Sequence, residues 1–107
     1  VKIPLETRQG VFSVSAQEII LVETQNRKVI ARTVSEDFEL LHSMDYWLRR
    51  LRATDCFFQT HRSYIINMEY VDSFDHSLVW LCNNRYTAYL TRRKYQLFKE
   101  TYLSYIQ

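Results

Sequence analysis

Apolar and polar residues alternate from Val11 to Ala16, with Phe12, Val14 and Ala16 on one face and Val11, Ser13 and Ser15 on the other. That period predicts a half-buried strand, and Pro4, near the start, is the one residue that reads as a break in the chain. Ile19-Ile20-Leu21-Val22 is instead a continuous apolar run, the mark of a strand buried on both sides. Gln25-Asn26 predicts a turn, and the β-branched stretch Arg27 to Val34 the returning strand of a hairpin. Phe38 to His42 reads as a further short strand. The period then changes. Met44, Trp47, Leu48 and Leu51 recur at helical spacing behind Ser43, whose hydroxyl suits an N-cap, so a helix is expected to run to about Ala53-Thr54-Asp55.

Cys56 to Tyr64 is aromatic and β-branched around a polar centre, and Ile65 to Met68 fits a turn or a strand end. Tyr70 to Phe74 and Leu78 to Cys82 read as strands on either side of an Asp75-His76-Ser77 turn. Asn83-Asn84 predicts a two-residue hairpin turn before the returning strand Arg85 to Leu90, because Asn tolerates positive φ. Thr91 is placed to cap a last helix with Tyr95, Phe98, Tyr102 and Ile106 on its packing face; Phe57, Trp47 and Trp80 are expected in the core. Strands joined by tight turns, without βαβ alternation, predict a mainly antiparallel β domain.

The 107 residues suit a single domain spanning 1–107, and the first residue, Val1, fits a domain excised from a longer chain. No apolar run is long enough to span a membrane. Gly10 is the only glycine, which excludes phosphate-cradling glycine loops and dinucleotide fingerprints. Cys56 and Cys82 form no CxxC pair, and free thiols are their simplest reading, with one disulfide or a redox switch as the alternative. With His61 and His76 they make only a nominal zinc set, so no metal and no cofactor is expected. His61 and Ser63 lack an evident carboxylate to orient them, and His61 reads as a structural, hydrogen-bonded histidine. No enzymatic activity is expected.

The net charge is only +2, yet the cations are unevenly placed. Arg and Lys attract phosphates, and Arg can bond bidentately to a guanine edge. Asn26-Arg27-Lys28, Arg62-Ser63 and Arg92-Arg93-Lys94 are the groups placed at turns and strand ends, where such contacts are most useful. The alternative is a β-rich interaction module whose basic loops meet an acidic protein partner.

The segment Phe57-Phe58-Gln59-Thr60-His61-Arg62-Ser63-Tyr64-Ile65-Ile66-Asn67 resembles the signature of the LytTR family of bacterial DNA-binding domains. Ile19 to Glu23, Arg27-Lys28-Val29, the Ser43 to Leu51 helix and Leu90-Thr91-Arg92-Arg93-Lys94-Tyr95 resemble its other elements, in order, over residues 6 to 103. The resemblance implies an elongated antiparallel β-sandwich of small packed sheets with two short helices. It implies sequence-specific duplex DNA binding by loops in the major groove, at short direct repeats, for transcriptional regulation in the cytoplasm. It further implies an N-terminal receiver domain in a response regulator of a two-component system, and pairing of domains on DNA.

Carried onto this chain, the first contact loop falls on Asn26, Arg27 and Lys28, with Arg27 at a base edge and Lys28 at phosphate. The position after the signature histidine is Arg62, beside Ser63. The closing basic pair is Arg92 and Arg93, with Arg93 the better contact and Lys94 adding phosphate attraction. Some members carry a redox-sensitive cysteine just before the signature histidine. Thr60 stands there in this chain, and Cys56 lies further back.

Overall fold

The computed structural model describes residues 1–107. Its ten strands are β1 (Lys2–Thr7), β2 (Gly10–Ser15), β3 (Ile19–Gln25), β4 (Lys28–Thr33), β5 (Asp37–Leu40), β6 (Phe57–His61), β7 (Tyr64–Asn67), β8 (Val71–Phe74), β9 (Leu78–Leu81) and β10 (Tyr86–Tyr89). Two α-helices, α1 (Met44–Leu51) and α2 (Tyr95–Tyr105), complete the chain. The strands form a five-stranded sheet in the order β5-β4-β3-β7-β6, a three-stranded sheet β10-β9-β8 and the hairpin β1-β2. Every pairing is antiparallel, and the longest dimension is 38 Å. The mainly β architecture of small sheets and two helices is the one the sequence predicts.

β3 is buried on both faces, as its apolar run requires. Ile19 and Val22 enter one core with residues of β1, β2, β4, β5 and α1. Ile20 and Leu21 enter a second core with residues of β9, β10 and α2. Two consecutive side chains share a side because the β3–β4 register shifts between Ile19 and Leu21. Such a bulge leaves one residue out of step with the alternation. On β7 the alternation is regular, so Ile65 joins the first core and Ile66 the second.

Each helix is anchored by one large side chain. Ser43 caps α1 by accepting from the Tyr46 N–H, and Trp47 is fully buried, its indole N–H donating to the Leu41 carbonyl at 2.6 Å. In α2, Phe98 is fully buried against Phe58 and Phe74, with ring centroids 5.1 and 4.8 Å away. Thr91 caps a 3-10 turn, Arg92–Lys94, that leads into α2.

Several expectations are corrected. β1 is a strand despite Pro4, because it pairs only with β2 and a missing N–H on a two-stranded ribbon is tolerated. Ile65 and Ile66 are interior strand residues of β7. The first hairpin turns at Asn26-Arg27, with φ of 52° and 65°, while Gln25 pairs with Lys28 and belongs to the strands. The β9–β10 connection is longer than Asn83-Asn84. Cys82, Asn83 and Asn84 all have positive φ, and the strands resume only at Tyr86. α1 ends at Leu51, with Arg52 as its C-cap. Phe12, opposite Leu5 in the middle of the β1–β2 ribbon, is 42% exposed and tilted against Phe38, and Ile106 lies past the end of α2 at 56% exposure. Of the three aromatics expected in the core, Trp47 is fully buried, whereas Phe57 and Trp80 are half-buried.

One buried polar side chain joins distant parts of the fold. Asn67 is fully buried; its Nδ2 donates to the carbonyls of Ile19 (2.9 Å) and Ala16 (3.3 Å), and its Oδ1 accepts from the Glu69 N–H (2.9 Å). Asn67→Ala strands three backbone groups and is expected to cost about 2–4 kcal/mol in urea-melt stability. Thr60 is the opposite case. Its hydroxyl is buried without a partner, so Thr60→Val is expected to leave stability unchanged or raise it by up to about 1 kcal/mol.

Candidate nucleic-acid interface

The five-stranded sheet fixes where its turns lie. β3 ends at Gln25 and leads through Asn26-Arg27 into β4. β7 runs antiparallel to β3 and begins at Tyr64, opposite Glu23. The Arg62-Ser63 turn that precedes it therefore leaves the sheet at the same end as Asn26-Arg27. A hydrogen bond from the Thr24 N–H to the Ser63 carbonyl (3.0 Å) joins the two hairpins there. The third basic group arrives by another route. The Thr91 N–H donates to the Thr60 carbonyl at 3.1 Å, and Lys94 Nζ donates to the Gln59 carbonyl at 3.0 Å. These bonds set Arg92, Arg93 and Lys94 beside β6.

The candidate residues gather into two neighbouring depressions at this end. Asp45, Gln59, His61, Arg62, Thr91, Arg93 and Lys94 line an entirely polar one of ≈ 360 Å³. Asn26, Arg27 and Lys28 line the other, of ≈ 420 Å³, together with Arg8, Glu39 and His42. Arg92 is exposed on the turn beside the first, and Ser63 is half-buried. Sequence reasoning missed Arg8, Asp45 and Gln59. The Arg8-Gln9-Gly10 run was the available signal for a turn, whereas nothing local to Asp45 or Gln59 marks them.

Two cations elsewhere in the fold, Arg32 and Arg50, are engaged, whereas Lys2, Arg49, Arg52, Arg85 and Lys99 are exposed and make no ion pair. Arg32 donates from Nε to Glu23 at 2.8 Å, from one terminal nitrogen to Asp37 at 2.7 Å and from the other to Gln25 at 3.0 Å. Arg50 donates twice to the Tyr46 hydroxyl, which itself donates to Glu6. Arg27, Arg62, Arg92 and Arg93 are likewise exposed and make no ion pair. Lys28 sits 3.8 Å from Glu39 with both side chains more than half exposed, a pairing of little energetic weight. Lys94 is half-buried; burial and the neighbouring Arg93 lower its pKa, and its ammonium is held on the Gln59 carbonyl.

His61 is the hinge pin of the second turn. Its Nδ1 accepts the Ser63 N–H at 3.0 Å, which requires that nitrogen to be unprotonated. Burial and the adjacent Arg62 and Lys94 hold its pKa below the ordinary histidine value. Tyr64 and Tyr89 flank the ring, at centroid distances of 6.0 and 5.8 Å. The thiols take no part. Cys56 and Cys82 are free, and burial pushes the Cys56 thiol up to about 11, far from the thiolate range at neutral pH.

Such an arrangement defines a β-rich domain that offers unpaired cations on hairpin turns and a capped 3-10 turn. The model of the LytTr DNA-binding domain matches residues 9–102, and the chain belongs to that family. DNA binding in transcription regulation is the function this membership carries; the family is not an enzymatic one. Among solved structures, a LytTr DNA-binding domain from a Bacillus cereus methyl-accepting/DNA response regulator is similar. It is 19% identical, with 94% of each chain covered and a TM-score of 0.74, and so shares the fold. None of the curated proteins matches the chain. No helix is long and apolar enough to cross a membrane.

The neutral state of His61 makes stability depend on pH. Unfolded, it takes up a proton near 6.5; folded, its pKa is lower, so between the two values the unfolded chain binds more protons. Its contribution is therefore complete above about 6.5 and is lost as pH falls below that value. Urea melts from pH 7.5 to 5.5 are expected to show declining stability in the native chain and a flatter profile in His61→Gln. The His61 ring, followed by NMR, is expected to titrate below the ordinary histidine value.

Proposed function

We propose that this domain binds duplex DNA sequence-specifically through the turns Asn26-Arg27 and Arg62-Ser63 and the basic turn Arg92–Lys94. The observation that carries the reading is the common placement of the hairpin turns. Both leave one end of the sheet, and their arginines have no partner within the protein. Across β4-β3-β7-β6 the centres of the two turns are separated by two strand spacings, roughly 10 Å. That separation is within the approximately 12 Å width of the major groove.

Arg27, Arg62 and Arg93 are the base-edge candidates, and Lys28, Arg92 and Lys94 serve the phosphates. Asn26 and Ser63 supply short polar side chains at the turns. Lys94 has a double role, since the ammonium that would meet phosphate also ties the Arg92–Lys94 turn to β6. The operator is proposed to be short direct repeats about one helical turn apart, occupied by two copies of the domain. The Bacillus cereus neighbour comes from a response regulator. By that analogy the domain is the output end of a longer cytoplasmic regulator, with a receiver domain on its N-terminal side.

Fluorescence anisotropy on a pool-selected duplex and a scrambled one, each at two salt concentrations, tests the reading. Tighter binding to the selected duplex, weakening with salt, is expected. Arg62→Ala and Arg93→Ala are each expected to weaken selected binding by about 1–3 kcal/mol. Equal binding to both duplexes would reduce the interface to a generic basic surface. Absence of binding at low salt would favour an acidic protein as the partner.

A further inference from the structure

The β1–β2 turn places one more cation at this end of the molecule. Leu40, at the end of β5, pairs with Val29, next to Lys28 at the first turn, so β5 leaves the sheet at the turn end. The Leu41 N–H then donates to the Glu6 carbonyl at 2.8 Å, and His42 Nε2 lies 3.1 Å from Glu6 Oε1. These contacts bring the end of β1 alongside the end of β5. The next residues, Thr7 to Gly10, turn the chain into β2, and Arg8 shares a depression with Asn26, Arg27 and Lys28.

The turn is braced from within. Thr7 is buried; its Oγ1 donates to the Gly10 carbonyl at 2.9 Å and accepts the Gln9 N–H at 3.1 Å. Gly10 has φ +135°, a conformation that side chains strain to adopt. Arg8 is exposed and has neither an ion pair nor a side-chain hydrogen bond. Of the acids nearby, Glu6 holds Tyr46 and His42, and Glu39 lies 3.8 Å from Lys28 in an exposed pairing, with no ion pair to Arg8. A guanidinium on a braced turn loses little freedom on meeting an oxyanion and can offer it two parallel N–H donors.

We propose that Arg8 grips a DNA phosphate and extends the interface beyond the β5 edge of the sheet. This rests on the reading that the turn end faces DNA. Four strand spacings, roughly 19 Å, separate β5 from β6. That exceeds the approximately 12 Å major groove, so a side chain beyond β5 meets backbone while Arg62 and Arg93, beside β6, lie over the groove. Arg8 thereby adds affinity and register without reading sequence.

The test compares Arg8→Gln with the native chain on the selected and scrambled duplexes at 50 and 200 mM salt. Losing one phosphate contact makes the slope of log affinity against log salt shallower by about 0.9. The deficit of Arg8→Gln is then about 3.5-fold larger at 50 than at 200 mM and equal on the two duplexes. Arg8→Lys is expected to restore the slope, and neither variant to change the melting temperature. An unchanged slope, or a loss confined to the selected duplex, overturns the proposal. If Arg62→Ala still weakens selected binding in that event, the DNA reading stands without Arg8. If the native chain binds no duplex, both readings fall.

Discussion

The fold depends on burying β3 from both sides. Ile19, Ile20, Leu21 and Val22 are each at most 1% exposed and are divided between two cores. At about 1.5–3 kcal/mol for each buried aliphatic side chain, they contribute roughly 6–12 kcal/mol. That is comparable to the whole net stability of a typical domain, about 5–15 kcal/mol. The same strand pairs with β4 on one side and β7 on the other, and these are the strands that emerge from the two basic turns. The best-buried part of the molecule is thus continuous with the turns proposed to meet DNA.

Charge follows the same axis. At the end of the sheet away from the turns stand Glu18, Glu36, Asp37 and Glu69, before or after strands whose other ends carry the arginines. Asp55, just ahead of β6, belongs with them, and Asp55, Glu69 and Tyr105 share a cavity there. Tyr105 donates to Glu69 at 2.6 Å, which holds the end of α2 down and drives the phenol's pKa strongly upward. The separation is partial, since Glu39 and Asp45 line the depressions at the turn end. On the proposed reading, the unpaired arginines at the turns would steer that end towards a polyanion, and salt would screen the effect.

Much of this was legible in the residues, and the gaps have physical reasons. The unbroken apolar run announced a strand buried on both faces, and Ser43 followed by Met44, Trp47 and Leu51 announced α1. The β1 strand was missed because Pro4 reads as a breaker, whereas Ile3, Leu5 and Thr7 alternate inward on a ribbon that needs no N–H at that point. Arg27 looked like a strand residue because arginine rarely takes a left-handed conformation; cross-strand pairing of Gln25 with Lys28 imposes it. Among the site residues, Arg62 and Arg93 could be named one at a time. Their meeting depends on a bond from Thr91 to Thr60, between segments distant in the chain, which no local pattern encodes. Asp45 carries no local signal at all, and Arg8 only the turn signal of Gln9-Gly10; their place beside the other cations becomes visible only with the topology.

The two-residue turns also bear on how such a domain could change its target. Gln25 with Lys28, and His61 with Tyr64, close the strands immediately behind each turn. The residues between them touch little of either core. An exchange at Arg62 would alter the chemistry presented while leaving the address at which it is presented intact. At Arg27 the left-handed backbone narrows the repertoire, with glycine and asparagine the easiest replacements. The scaffold therefore separates two inheritances: the strands conserve position, and the turns are free to drift, one of them more freely than the other.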